Sequence, residues 1–222
     1  MSMSNLITKV DPQVYLSLEK TCGVIINSIY SVTFENTNYL EPLRRSPLVL
    51  LPKHQLFLDI LLEGMLLDKY QQRSGFFVMK DSLPSFLDYC GGIRIKREKD
   101  LKTKTLSDEQ KRKALRDAQE QKKEVHNSMK KVLRHNQVLV IHPEGTRHYK
   151  ETGEINKSLL QILIKIQKEL NLSIPFVPLS INYMGQPYFP RMKVSIDVKK
   201  PLYTTSQDTL RQYLLESLPL VK

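Results

Sequence analysis

Four short apolar runs frame this chain: LVLL at Leu48–Leu51, GFFVM at Gly75–Met79, QVLVI at Gln137–Ile141 and IPFVPLSI at Ile174–Ile181. A strand with a polar residue at every second position has one face in water, whereas runs lacking that alternation are covered on both faces. The segments between them carry helical spacing instead, as in Phe57, Ile60, Leu61 and Met65. Strands alternating with helices predict an α/β fold, a mixed, mostly covered sheet flanked by helices. Ser31–Phe34, Gly91–Lys96 and Met192–Val198 add further strands, the last with the alternation of an edge strand. Ser158–Leu170 and Asp208–Leu218 are expected to be helices, with Asp208 as N-cap of the second.

The chain has 222 residues, 41% hydrophobic and 26% charged, which suits one globular core and not a disordered polymer. Residues 1–222 are therefore read as a single domain. Residues 1–30 hold an N-terminal amphipathic helix in which Val14, Leu18, Cys22, Ile25, Ile26 and Ile29 share a face. That face either packs on the domain or enters a membrane interface. Residues 98–135 form a basic helical excursion, with Leu115, Ala118, Val125, Met129 and Val132 at helical spacing.

Lys and Arg number 34 against 23 Asp and Glu, a net charge of +11. Between Arg97 and Arg134 stand 13 basic and 7 acidic residues, so 13 − 7 = +6 of that surplus lies in this stretch. Such a face favours an anionic partner. A nucleic-acid-binding module is one reading, but this stretch holds no Phe, Tyr or Trp on which bases could stack. Cys22 and Cys90 form neither a zinc motif nor a disulfide framework, which points to a reducing compartment and to no bound metal. The longest early uncharged stretch, Thr21–Phe34, is 14 residues, short of the roughly 18 a membrane span requires. With no secretory signal visible either, a cytoplasmic protein is expected.

Three groups carry chemistry. His54 and Asp59 are five positions apart, and on a continuous helix that interval would set them about 140° out of line. They meet only if His54 precedes the helix and Asp59 lies in its first turn, which is where the strand-to-helix change predicts them. The pair would then be an imidazole base whose tautomer a carboxylate fixes. In IHPEGTRH, Ile141–His148, a strand stops at Pro143 and turns at Gly145, exposing Thr146 and Arg147 as donors for an oxyanion or phosphate. In GGIRIKRE, Gly91–Glu98, Arg94, Lys96 and Arg97 crowd a strand end, where anionic ligands of α/β sheets bind. His142-Pro143-Glu144 matches half of a zinc-deaminase signature, but the P-C-x-x-C half is missing, which excludes that chemistry.

His54-x4-Asp59, the basic strand ending at Arg97, Pro143-Glu144-Gly145-Thr146-Arg147 and Ile174-Pro175-Phe176-Val177-Pro178 stand in the order of the four blocks of the glycerolipid acyltransferases. Over residues 31–183 the chain most resembles the 1-acylglycerol-3-phosphate (lysophosphatidic acid) acyltransferases. The resemblance implies transfer of a fatty acyl chain from acyl-CoA or acyl carrier protein to the hydroxyl of 1-acylglycerol 3-phosphate, with glycerol 3-phosphate or another lysophospholipid or aminolipid as the alternative acceptor, and no cofactor beyond that donor. His54 would be the base and Asp59 its orienting carboxylate. Arg97 and Arg147 would hold the acceptor phosphate, with Glu144, Gly145 and Thr146 shaping that site. Lys80 matches the lysine that opens the second block, and Pro178 would help form the acyl or acceptor pocket. The enzyme would sit peripherally on the cytoplasmic membrane face, its basic helix against an anionic surface or an acidic carrier protein. Two departures stand beside the key groups. Lys53 replaces the usual Asn or Ser before His54, adding a cation able to lower the His pKa or contact phosphate. His142 replaces an apolar residue before Pro143.

Overall fold

The computed structural model describes residues 23–24, 26–95, 107–148, 153–184 and 192–218. Seven strands form one sheet: β1 (Tyr30–Glu35), β2 (Leu48–Pro52), β3 (Gly75–Lys80), β4 (Gly92–Ile95), β5 (Val138–Val140), β6 (Phe176–Met184) and β7 (Met192–Val198). Their order across the sheet is β1-β7-β6-β2-β5-β3-β4. The five strands from β6 to β4 run parallel, while β7 meets β6 antiparallel and β1 pairs parallel with β7. The helices are α1 (Asp59–Gln71), α2 (Asp108–Arg134), α3 (Lys157–Leu170) and α4 (Gln207–Ser217). This is the α/β architecture of mixed strand direction that the apolar runs predict.

The unbroken apolar runs are explained by cover on both faces. In β2, Leu48 and Leu50 pack with Leu62 and Leu66 of α1, while Val49 and Leu51 pack with Met129 of α2, Leu163 of α3 and Leu210 of α4. Helices α2, α3 and α4 start where a side chain supplies the missing acceptor, whereas Leu58 before α1 offers none. Ser107 and Gln110 form a reciprocal capping box on α2, Asn156 accepts from Leu159 N on α3, and Ser206 accepts from Thr209 N on α4. The cap of α4 is thus Ser206 and not Asp208, because Ser206 has the extended backbone that aims its hydroxyl at the first free amides; Asp208 lies in the first turn.

Strand β7 also departs from expectation. It lies inside the sheet between β1 and β6. Its polar positions serve the neighbouring strand: Ser195 Oγ donates to Glu35 Oε1 at 2.6 Å, and Asn36 Nδ2 donates to Asp197 Oδ1 at 2.8 Å. Its alternation reflects those cross-strand contacts, not an open edge. On α2, Ala118, Val125, Met129 and Val132 are buried, whereas Leu115 is exposed along with Arg112, Lys113, Lys122 and Lys123. Among the described residues no helix is long and apolar enough to cross a membrane. The expected N-terminal helix lies mostly outside the described residues; within them, residues 26–29 are helical and Ile26 is buried in the core.

Connectivity decides where a ligand can bind. From β2 the chain crosses through α1 to β3, passing β5; from β5 it crosses through α3 to β6, passing β2 in the opposite direction. Right-handed crossovers of opposite sense lie on opposite faces of the sheet, and α1 and α3 do belong to different apolar clusters. The ends of β2 and β5 therefore part around a crevice, the switch point at which open α/β sheets bind ligands.

Candidate active site

Strand β2 ends at Pro52, and six residues, Lys53–Leu58, link it to α1, whose first residue is Asp59. The link wraps around the Asp59 carboxyl group, which is fully buried. Gln55 N and Leu56 N donate to Asp59 Oδ2 at 2.6 and 2.8 Å, and His54 Nδ1 lies 3.1 Å from the same oxygen. The Tyr183 hydroxyl at the end of β6 donates to Oδ1 at 2.5 Å. A second tether to β6 runs from Gln55 Nε2 to Ile181 O. With Nδ1–H donated to a carboxylate, the lone pair of His54 resides on Nε2. Burial lowers the His54 pKa below its ordinary value, outweighing the opposing hydrogen bond from Asp59, so the ring is neutral near pH 7.

The segment after β5 closes over this base. Gly145 N donates to His142 O at 3.0 Å, and Asn156 N donates to Pro143 O at 2.9 Å. Gly145 has φ +66°, in the left-handed region that glycine enters without strain. His148 N then donates to the His54 carbonyl at 2.9 Å, locking the turn to the base, and Thr146 Oγ1 lies 2.8 Å from His148 Nε2. Glu144 turns inward, nearly buried, and accepts from Gly153 N at 3.2 Å. Lys53, 1% exposed, faces it from beneath the link. Burial pushes the Lys53 pKa down and the Glu144 pKa up, each opposed by the attraction of the other. Asp59 also attracts the Lys53 charge, less strongly than Glu144 does.

A cavity of about 340 Å³ opens in front of this assembly. His54, Lys80, Thr146, Arg147 and Asn156 line its polar side, with Gly145 at the turn. Its other walls are apolar, formed by Phe77 and Met79 of β3, Ile95 of β4, and Ile60, Ile141 and Leu159. Lys80 stands at the end of β3, and Arg147 is exposed at the rim. The structure thus brings His54, Asp59, Lys80, Gly145, Thr146 and Arg147 together. Glu144 and Lys53 lie beneath the turn, outside the cavity lining. Pro178 is buried inside β6, paired with Leu51, and also lies outside that lining. Its missing N–H falls on the side away from β2, where Lys199 N donates to Pro178 O, so the proline interrupts no bond of the β2 ladder.

Arg97 and Lys96 lie outside the described residues. Arg94 is described, and its guanidinium is used internally. Nε donates to Asp88 Oδ1 at 2.6 Å, Nη1 to the carbonyls of Asp81 and Leu83 and Nη2 to that of Pro84, at 2.6–2.9 Å. It clamps the turn before β4 and leaves no fork for an anion.

Two side chains that the sequence did not single out belong to the site, Tyr183 and Glu63, and His142, noted there as a departure, is a structural neighbour of His54. His142 Nε2 lies 2.9 Å from Glu63 Oε1, and its ring stacks on that of His54 with centroids 4.0 Å apart. One local signal existed, since Asp59 and Glu63 are one helical turn apart and so share a face. Tyr183 had none, because only the fold brings β6 to α1.

A model of the acyltransferase family matches residues 31–182, more than half of the chain and all of this site but Tyr183. No curated protein matches it. The chain belongs to the acyltransferase family.

Proposed function

We propose that this acyltransferase moves a fatty acyl group from acyl-CoA or acyl carrier protein to the hydroxyl of a 1-acylglycerol 3-phosphate, with His54 as general base. One observation carries the reading: a neutral imidazole, oriented by a buried carboxylate, stands at the mouth of a cavity with one apolar side and one cationic side. His54 Nε2 takes the proton of the acceptor hydroxyl as its oxygen bonds to the thioester carbonyl carbon. Asp59, 3.1 Å from Nδ1, stabilises the imidazolium that forms. Collapse of the tetrahedral intermediate breaks the C–S bond, and the leaving thiolate takes up the proton from His54. Lys80 and Arg147 provide two cations for the acceptor phosphate. The walls from Phe77, Met79 and Ile95 suit an acyl chain. The basic face of α2 and the exposed Phe57 beside the base support approach to an anionic membrane surface.

The test is a thiol-release assay with acyl-CoA and acyl carrier protein as donors, across lysophosphatidate, glycerol 3-phosphate, other lysophospholipids and aminolipids. Release is expected to be fastest with lysophosphatidate and abolished in His54→Ala. Turnover retained by His54→Ala would remove the base. Preference for another acceptor would keep the acyl transfer and replace the substrate.

A further inference from the structure

Helix α1 delivers two carboxyl groups, not one. Asp59 and Glu63 stand one turn apart on the same face, about 6 Å along the axis. Asp59 meets His54, and Glu63 Oε1 meets His142 Nε2 at 2.9 Å. The two imidazoles lie face to face, centroids 4.0 Å apart and planes inclined by 23°. His142 comes from the end of β5 and Glu63 is fully buried in α1. Two imidazole–carboxyl pairs from three separate elements thus stack at the point where the base works, and acyl transfer as proposed above uses only one of them.

We propose that His142, held by Glu63, is a positioning residue for the base: its ring face confines His54 to the plane that keeps Nδ1 on Asp59 and Nε2 at the cavity. This rests on the reading of His54 as general base. The chemistry of the pair favours positioning over proton relay. Burial holds the His142 pKa at about 4 and pushes that of Glu63 well above its ordinary value. Burial thus disfavours the charged form of both partners and favours an uncharged imidazole against a carboxyl group that holds its proton more tightly than usual. An uncharged ring can lie against His54 through the whole cycle, whereas a cation there would oppose formation of the imidazolium. The stack also covers one face of the His54 ring, and both imidazoles border the same cavity.

Other titratable groups surround His54: Asp59 and Glu63 of α1 raise its pKa, Glu144 after β5 interacts with it, Lys80 of β3 and Arg147 line the same cavity, and Lys53 precedes it in the link. The variants therefore change only the second pair. His142→Ala removes the ring. His142→Phe combined with Glu63→Leu keeps a ring to stack and deletes both titratable groups.

Two readouts are needed. In steady-state thiol release, His142→Ala is expected to lower kcat about tenfold with little change in either KM, as a misplaced base does. The Phe/Leu double variant is expected to regain most of that loss. In NMR titration of the folded protein without substrates, the His54 midpoint is expected to rise by about half a pH unit in His142→Ala, as water enters, and far less in the double variant. Equal kcat in wild type and His142→Ala, or a His54 midpoint that does not move, overturns the proposal. A double variant as slow as the alanine variant, although folded, assigns proton transfer to His142 and overturns positioning. If the wild type releases no thiol with any donor and acceptor, the proposed function fails, and the titration alone still decides the stack.

Discussion

Replacing Asp59 separates two duties, the organisation of the link that its contacts show and the stabilisation of a charged His54 that the proposed mechanism requires. Oδ2 accepts from two buried backbone amides, Gln55 N and Leu56 N, as well as from His54 Nδ1. Asparagine with its carbonyl oxygen at the Oδ2 position keeps all three acceptor contacts and turns its amide toward the Tyr183 oxygen. What it loses is charge. An imidazolium and a carboxylate 3.1 Å apart attract by about 5 kcal/mol at an effective dielectric of 20. His54 is partly open to solvent, and a neutral amide still offers a dipole, so about 3–4 kcal/mol remains, or roughly 10²–10³ in kcat. Asp59→Ala instead strands the two backbone donors, at about 1–3 kcal/mol each. In a domain of this size each kcal/mol lowers Tm by about 2–4 °C, so the alanine variant should melt roughly 5–20 °C lower. The assay pairs calorimetry with thiol release on the same preparations. Asn should approach wild type in Tm and fall far below it in kcat, while Ala should lose both. An Asn variant that melts like Ala, or one that turns over like wild type, would refute the division of roles.

Three further outcomes follow from single contacts. Tyr183→Phe deletes one charge-assisted hydrogen bond to Asp59, so kcat should drop by about tenfold, with unchanged KM, in the same assay. Arg147→Ala should raise the acceptor KM far more than the donor KM, whereas Arg94→Met, which strips four internal hydrogen bonds, should lower Tm without that selectivity; equal effects on both KM values would make Arg147 structural. His142, with a folded pKa of about 4 against 6.5 ordinarily, binds fewer protons folded than unfolded, so its contribution to stability is present above pH 6.5 and lost as pH falls toward 4. Glu63 titrates with the opposite sign, because its raised pKa makes the folded state hold a proton. Denaturant unfolding of Glu63→Gln against Glu63→Gln/His142→Phe removes that contribution, and the difference should shrink by roughly 3 kcal/mol between pH 6.5 and 4; a flat difference would mean that His142 is not buried as a neutral ring.

The strands and the dyad were legible because their signals are local. An uninterrupted run such as Leu48–Leu51 states its own burial, and the change of periodicity after His54 placed Asp59 in a first helical turn, where the structure has it. What escaped was long-range. Nothing in the alternation of Met192–Val198 reveals that its polar side chains answer Glu35 and Asn36 across a strand pair 160 residues away in sequence. Arg94 looked like an anion ligand because a sequence shows an arginine's charge but not the carbonyls that consume its donors. Lys53 looked like a neighbour of the base, but the link buries it toward Glu144. Tyr183 and the Glu63–His142 pair required the sheet order itself.

That order also explains why the base and the anion-suited turn arrive as one unit. His54 follows β2 and Arg147 follows β5, adjacent parallel strands whose crossovers depart in opposite directions. The two loops therefore meet above the sheet with no helix between them, and one backbone hydrogen bond, His148 N to His54 O, fixes their spacing. Arg147 is the residue next to that donor. A shift of the turn would carry Arg147 away from His54, so on the proposed reading the main chain sets where the phosphate-binding side chain starts from. An acceptor with its hydroxyl at a different separation from its phosphate would meet either the base or the cation, but not both. Under the proposed function, discrimination among phosphorylated acceptors would then reside in the loop pair, leaving the apolar walls from β3 and β4 for the acyl chain.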